Sequence, residues 1–184
     1  MLYKDVIIAG FGGQGVLLAG KVLAWAGMLE GLHVTWFPSY GAEMRGGTAN
    51  CTVIMSDTEI GSPVVDRPAA LIALNQASAD KFSARVGKGG VILLNSSLAN
   101  GEIKRPGVKV TKLQANEIAE GLGDVKVVNM VMMGAYIRAT GAVSLKMVGR
   151  ALEEVLPARR KDLLPVNLAA IEKGYSLAGH NKKS

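Results

Sequence analysis

The sequence predicts an α/β protein with an open, mostly parallel sheet, helices on both faces of that sheet and a helical C-terminal segment. Short apolar runs, typical of buried strands, alternate with longer helical segments through the first two thirds of the chain. The last third contains only helical patterns. A chain of 184 residues is long enough for one buried core and short for two, so we predict a single domain over residues 1–184.

The first predicted strand is the apolar run Val6–Ala9, which ends in glycine. A helix is predicted over Gln14–Glu30, and because this segment is apolar on nearly all sides, we expect it to be covered on several faces. Further strands are predicted over His33–Pro38 and Asn50–Ser56. A glycine-rich loop, residues 39–48, joins these two strands.

The second part of the sheet is predicted from Leu71–Leu74 and Val91–Asn95, with a helix over Gln76–Val86 between them. The alternating segment Val108–Leu113 is predicted to be an edge strand. The remaining helices are predicted over Ala115–Gly121, Asn129–Thr140, Leu145–Leu156 and Lys161–Ala178.

Composition excludes several kinds of site. A single cysteine, Cys51, rules out an intrachain disulfide and a four-cysteine iron–sulfur cluster, and the two histidines show no metal-ligand spacing. The net charge is +6, but no basic stripe interleaved with aromatics indicates a nucleic-acid interface. The basic balance favours a phosphate-bearing ligand or an acidic partner. The apolar content of 49% fits either a fully buried sheet or a surface that another polypeptide covers.

The N-terminal sequence and the apolar stretches do not indicate a targeting signal. The N-terminus leads directly into a strand, without the basic start and cleavage site of a signal peptide. The longest apolar stretch, Val16–Leu29, is short for a membrane span and is interrupted by Lys21. We therefore expect a cytoplasmic protein that does not bind membranes.

Residues 10–15, G-F-G-G-Q-G, match G-x-G-x-x-G between a strand and a helix. In that context Gly10 permits a tight turn, Gly12 permits a close approach, and Gly15 lets the helix lie near the strand. The helix start favours an anion; alternatively, the glycines serve chain geometry alone. The acidic residue that a dinucleotide fold places about 20 residues further on is missing from the end of the second strand, so nicotinamide binding is disfavoured.

The loop after the second strand carries polar groups at the sheet edge where ligands of open α/β sheets bind. Its polar side chains and glycines are Ser39, Tyr40, Glu43, Arg45, Gly46 and Gly47. The Arg45 guanidinium suits bidentate recognition of a carboxylate or phosphate, whereas a Glu43–Arg45 ion pair that staples the loop is the alternative. No histidine accompanies a nucleophile in a recognisable pattern, so we predict no catalytic residue and no metal ligand in this chain.

Four stretches in order carry a family resemblance, at residues 10–16, 39–47, 70–76 and 129–135. Together they resemble the gamma subunit of the 2-oxoacid:ferredoxin (acceptor) oxidoreductases, the pyruvate/ketoisovalerate/2-oxoglutarate oxidoreductase family. The resemblance implies a Rossmann-like domain in a heteromeric enzyme that oxidatively decarboxylates a 2-oxoacid to an acyl-coenzyme A, with 2-oxoglutarate the preferred substrate. It implies that the isolated chain is inactive.

The cofactors implied by the resemblance belong to the complete enzyme. They are thiamine diphosphate with Mg²⁺ and iron–sulfur clusters, with coenzyme A as co-substrate. The implied partners are alpha and beta subunits, a ferredoxin-like delta subunit and ferredoxin as electron acceptor; alone, the chain is expected to form a homodimer. The apolar helix and Met130, Met132 and Met133 are expected to face partner subunits as well as the core, with plain core packing the alternative for the methionines.

The resemblance also places site residues. The positions that match its two loops are expected to border coenzyme A or substrate, or a subunit interface: Gly12, Gly13, Gln14, Gly15, Ser39, Tyr40, Gly41, Glu43, Arg45, Gly46 and Gly47. Relatives often have proline where this chain has Ala42, which leaves this loop more flexible. Asn75 and Asn129 are candidate interface anchors or, alternatively, buried amides bonded to backbone.

Two other classes of function remain open. The G-x-G-x-x-G pattern alone predicts a self-sufficient nicotinamide-dependent dehydrogenase. The basic balance and the Arg45 loop predict a simple coenzyme A- or nucleotide-binding module.

Overall fold

A computed structural model describes residues 1–39 and 48–180 of the chain. Its strands are β1 (Tyr3–Phe11), β2 (His33–Ser39), β3 (Thr48–Ser56), β4 (Ala70–Ala73), β5 (Val91–Asn95) and β6 (Lys109–Leu113). Its α-helices are α1 (Val16–Leu29), α2 (Gln76–Phe82), α3 (Ala115–Gly121), α4 (Val128–Thr140), α5 (Leu145–Val155) and α6 (Leu164–His180). Short 3₁₀ segments cover Ser83–Arg85, Val125–Val127 and Ala158–Leu163.

The six strands form one sheet in the order β2-β3-β1-β4-β5-β6. Strands β1, β4, β5 and β6 are parallel neighbours, as the alternation of strands and helices predicts. Strand β3 is inserted antiparallel between β1 and β2. The sheet is therefore mostly parallel, with β6 at one edge and β2 at the other.

The antiparallel insertion follows from the length of the connection between β2 and β3. Only residues 40–47 separate the two strands, whereas a parallel connection needs a crossover of about a dozen residues or more. Strand β3 therefore returns beside β2 in the opposite direction. Its own neighbour on the other side is β1, with Phe11 opposite Thr48 and Tyr3 opposite Ser56.

Most of the helices lie on one face of the sheet. Helices α1 and α4 contact the strands directly, and α5 and α6 pack on α1 and α4 as a second layer. Helices α4 and α6 approach so closely that a Cβ at Gly134 would overlap the carbonyl oxygen of Ile171, and one at Gly174 would overlap that of Val131. The C-terminal helices thus bury their apolar sides against this chain's own helices.

The opposite face carries a smaller apolar cluster built around α2. Phe82 and Val86 pack there on Ile7, Leu71 and other inward-facing strand residues. Helices therefore lie on both faces, as predicted, but unequally within the described residues.

Of the two features expected to face partner subunits as well as the core, α1 is covered in part within this chain and keeps Met28 55% exposed, whereas the methionines of α4 are fully buried. Helix α1 lies between the sheet and α5, and Met130, Met132 and Met133 are each 0% exposed. The expectation that these methionines contact another subunit is wrong, because α6 and the sheet enclose α4. None of the described helices has the length and apolar content required to cross a membrane.

Candidate functional site

The glycine loop joins β1 to α1 beside the carboxyl ends of the parallel strands. We call this end of the sheet the edge. Gly13 and Gly15 have φ values of +93° and +72°, a region that residues with side chains rarely adopt. Gly15 is the N-cap residue of α1, and no side chain caps this helix. Among the described residues, no acceptor receives the backbone amides of Gly12, Gly13 or Gly15. The start of α1 therefore offers donors to an anion.

Gln14 ties the glycine loop to the neighbouring strand connection. Its Oε1 accepts hydrogen bonds from the Phe11 amide at 2.6 Å and from Asn75 Nδ2 at 2.9 Å. Asn75 is 2% exposed, and its Oδ1 accepts from the Ser78 amide at 2.8 Å, which caps α2. One buried amide thus holds the loop and begins a helix, so its bonds are internal to this chain.

Asn129 holds the end of the same loop from the start of α4. Its Nδ2 donates to the Gly15 carbonyl at 2.9 Å and its Oδ1 accepts from the Met130 amide at 3.0 Å. A Cβ at Gly15 would overlap Asn129 Nδ2, so the missing side chain makes room for this amide. The sequence-based role for Gly15, close contact between helix and strand, belongs instead to Gly20, whose Cβ would overlap Cys51 Sγ on β3.

The ends of the second loop lie at the same sheet edge as the glycine loop. The chain leaves β2 at Ser39 and re-enters the sheet at Thr48, which is the Cα partner of Phe11. Ser39 itself is exposed and pairs with Asn50. The predicted site residues of the loop interior lie outside the described residues: Tyr40, Gly41, Glu43, Arg45, Gly46 and Gly47.

The same edge contains two polar residues that the sequence reasoning missed. Asn95, at the end of β5, is fully buried and donates to the Leu74 carbonyl at 3.1 Å while accepting from the Ala115 amide at 3.2 Å. Lys81 donates to Thr48 Oγ1 at 3.3 Å. The sequence contains a signal for Asn95, because the pair leucine–asparagine directly follows β4 and also ends β5.

Two aromatic side chains are exposed near this edge. Phe11 is 39% exposed and Phe37 is 50% exposed. Their register partners on β3, Thr48 and Thr52, are four residues apart, so both rings project from the face that α2 covers only in part. An exposed apolar pair beside a polar edge is typical of a surface that another polypeptide covers.

The described residues bring together hydrogen-bond donors rather than reactive groups. Burial raises the pKa of the Cys51 thiol to about 12, so it stays protonated and unreactive near neutral pH. No group of His, Cys, Asp and Glu within the described ranges is arranged to hold a metal ion. The edge therefore presents backbone donors, and its described part contains no acid–base pair or activated nucleophile.

Comparison with known proteins gives a consistent set of relatives. A family model described as pyruvate ferredoxin/flavodoxin oxidoreductase matches residues 5–177. Ketoisovalerate oxidoreductase subunit VorA of Methanothermobacter thermautotrophicus is 41% identical over 178 residues, 96% of this chain and 36% of that protein. The chain thus spans about a third of the length of this relative. 2-Oxoglutarate synthase subunit KorC of Methanocaldococcus jannaschii is 36% identical, and the match covers 95% of this chain and 94% of KorC.

Solved structures share the fold. The gamma subunit of a keto/oxoacid ferredoxin oxidoreductase from Geobacter sulfurreducens superposes with a TM-score of 0.82 at 31% identity, covering 95% of this chain and 98% of that one. A 2-oxoglutarate:ferredoxin oxidoreductase from Magnetococcus marinus, with 2-oxoglutarate, coenzyme A and succinyl-CoA bound, superposes with a TM-score of 0.88. It is 23% identical, and the match covers all of this chain and 32% of that one.

Proposed function

Because the chain belongs to the pyruvate ferredoxin/flavodoxin oxidoreductase family, we propose that it serves as the gamma subunit of a 2-oxoacid:ferredoxin oxidoreductase. The complete enzyme oxidatively decarboxylates a 2-oxoacid and transfers the acyl group to coenzyme A. This chain contributes structure and one border of the ligand site, and the isolated chain is inactive. The family match favours this function over a nicotinamide-dependent dehydrogenase. This chain also lacks the carboxylate that such an enzyme uses to bind the ribose of its cofactor.

The observation that carries the proposal is the meeting of two loops at one edge. Thr48, where the second loop ends, pairs with Phe11, where the glycine loop begins. The uncapped start of α1 adds backbone donors there, which suit a phosphate group of coenzyme A. The exposed Phe11 and Phe37 rings supply apolar surface for an adjoining subunit. A ligand bound at this edge would therefore lie between this chain and its partner.

The cofactors of the complete enzyme do not fit this chain's own residues. Iron–sulfur clusters are held by several cysteine thiolates, whereas this chain has one cysteine, which is buried and protonated. The clusters are therefore assigned to partner chains. Thiamine diphosphate with Mg²⁺ is assigned to them as well, on the family resemblance, and the proposed partners are alpha and beta subunits and a ferredoxin-like delta subunit. Ferredoxin is the proposed electron acceptor and the cytoplasm the proposed location.

2-Oxoglutarate is the proposed substrate. KorC, a 2-oxoglutarate synthase subunit, is 36% identical to this chain, and the match covers 94% of KorC. The second candidate is ketoisovalerate, which the higher identity to VorA favours. Substrate choice belongs to the assembled enzyme, so the two candidates must be distinguished on the complex.

The test is reconstitution with the chains encoded beside this one. Affinity-tagged chain should co-purify alpha and beta subunits, and the complex should reduce an electron acceptor when given 2-oxoglutarate and coenzyme A. Faster turnover with ketoisovalerate would shift the substrate assignment and leave the subunit assignment intact. Recovery of a lone chain that binds NADH with a Kd near 1 μM would replace the proposal with a dehydrogenase.

Arg45 provides a sharper test of the ligand border. Arg45→Ala should lower coenzyme A-dependent turnover or complex assembly by about tenfold or more, the effect of losing a charge-assisted hydrogen bond. Arg159→Ala, which removes the same charge from an exposed position, is the matched control. Equal turnover and assembly in the two variants would remove Arg45 from the site.

A further inference from the structure

A cavity lies at the opposite end of the parallel strands from the glycine loop. Its volume is about 410 Å³, and its lining residues are Asp66, Arg67, Ala84, Arg85, Gly87, Lys88 and Arg105. These residues precede strands β4, β5 and β6, so they lie where the parallel strands begin rather than where they end. We call this cavity the arginine pocket; three of its lining residues are arginines and one is a lysine, against a single carboxylate.

Arg85 is fixed in the arginine pocket by backbone carbonyls. Its Nε donates to the Asp66 carbonyl at 3.1 Å and its Nη2 donates to the Val65 carbonyl at 2.7 Å. The guanidinium carbon lies 5.7 Å from the centre of the Phe82 ring. These contacts orient the guanidinium, and none of the ion pairs found in the described part of the chain involves Arg85.

Arg105 makes one hydrogen bond to the backbone and has one unsatisfied donor. Its Nη2 donates to the Val86 carbonyl at 3.0 Å, while its Nε is buried and has no hydrogen-bond partner. A buried donor of this kind costs stability unless something accepts from it. Because Nε is shielded from solvent, a ligand in the arginine pocket would contact the other guanidinium nitrogens of Arg105.

No ion pair among the described residues involves a cation of the arginine pocket. Within residues 1–39 and 48–180, the ion pairs shorter than 4.0 Å are Met1–Asp57 and Lys104–Glu102, and neither involves the pocket's arginines or Lys88. Four neighbouring cations repel one another, and two of them are already oriented by carbonyls. An anion with several oxygens would relieve this repulsion and accept from both guanidinium groups.

We propose that the arginine pocket binds a small compound with a diphosphate or other multiply charged phosphate group, at a site separate from the glycine-loop edge. Planar guanidinium groups match phosphate oxygens in a bidentate geometry. The volume lies within the range of small-molecule sites, which favours a compact ligand over a protein segment. The proposal concerns this chain alone and does not depend on the function assigned above.

The test is titration of the full chain with inorganic pyrophosphate by calorimetry and by NMR. A saturable Kd below about 1 mM is expected in about 0.1 M salt, with shifts of the Gly87 and Lys88 amides. Arg105→Gln should weaken binding by about tenfold or more, and Arg105→Lys, which keeps the charge without the fork, should weaken it less. Lys104→Gln is the control, since Lys104 is one residue away and exposed, with a bond to Glu102 instead of the pocket.

Three outcomes would overturn the proposal. One is the absence of saturable binding. Another is an equal loss in Lys104→Gln and Arg105→Gln, which would indicate general attraction to a basic surface. The third is binding of a tetra-aspartate peptide, but not pyrophosphate, with shifts at Gly87 and Lys88; this would assign the pocket to an acidic polypeptide. Urea unfolding of each variant shows whether Arg105→Gln remains folded, and the NMR shifts of the unmodified chain test the site without any substitution.

Discussion

Gly15→Ala should be one of the most damaging single-methyl additions to this protein. The backbone at Gly15 has φ +72°, and a residue with a Cβ pays about 1–2 kcal/mol in that region. The added Cβ also overlaps Asn129 Nδ2, which now donates to the Gly15 carbonyl. Displacing this buried amide leaves polar groups without hydrogen bonds, which costs about 1–3 kcal/mol of stability. The free energy of unfolding should therefore fall by about 2–5 kcal/mol.

Two comparisons separate the backbone cost from the contact. Gly13→Ala meets φ +93° but no atom within 4 Å of its new Cβ, so it should lose only the backbone part, about 1–2 kcal/mol. In an Asn129→Ala background, Gly15→Ala should likewise lose only that part, which gives a coupling of about 1–3 kcal/mol in a double-mutant cycle. Urea unfolding followed by circular dichroism measures all four variants.

The reasoning would be refuted if Gly15→Ala and Gly13→Ala were equally destabilising, or if the cycle showed additivity. Either result would mean that Asn129 can move aside without cost. The amide would then not be the group that holds the end of the glycine loop.

Two further predictions concern the helical layer and a buried carboxyl group. Gly134→Ala should destabilise the fold by about 3 kcal/mol or more, because its Cβ would overlap the Ile171 carbonyl of α6; Gly149→Ala, whose Cβ would contact only Leu168 at 3.5 Å, should be neutral or slightly stabilising in the same urea assay. Burial raises the pKa of Asp5 above 3.8, so between that value and the raised one the folded chain keeps a proton that the unfolded chain has lost. Stability should therefore fall as pH rises through this interval, and Asp5→Asn should remove that part of the pH dependence of Tm.

Each of these two has a clear contradicting result. Equal unfolding midpoints for Gly134→Ala and Gly149→Ala would show that α4 and α6 are not in backbone contact. An unchanged pH profile in Asp5→Asn would show that another group is responsible. The asparagine keeps an oxygen for the hydrogen bond that Asp5 Oδ1 accepts from the Ala69 amide at 2.5 Å, so loss of that bond would not explain the difference.

Local features of the structure were predictable because their causes are local. The apolar runs near Val6 and Val91 form strands, and the glycine-rich turn after the first strand opens α1, because side-chain periodicity and glycine conformation act over a few residues. The short connection between Ser39 and Thr48 requires β3 to run antiparallel to β2 if these two strands are neighbours. The length of the connection does not by itself show which strands are neighbours.

Long-range packing decided the rest. The amides of Asn75 and Asn129 converge on the glycine loop only when α2 and α4 have docked, and the arginine pocket combines residues from 66 to 105 that no motif connects. The methionines of α4 also became core residues because α6 folds back over them. The sequence alone determined the elements, the glycine loop and the family resemblance. Which side chains share a space was decided by tertiary structure, because burial and charge balance depend on neighbours that are distant in the chain.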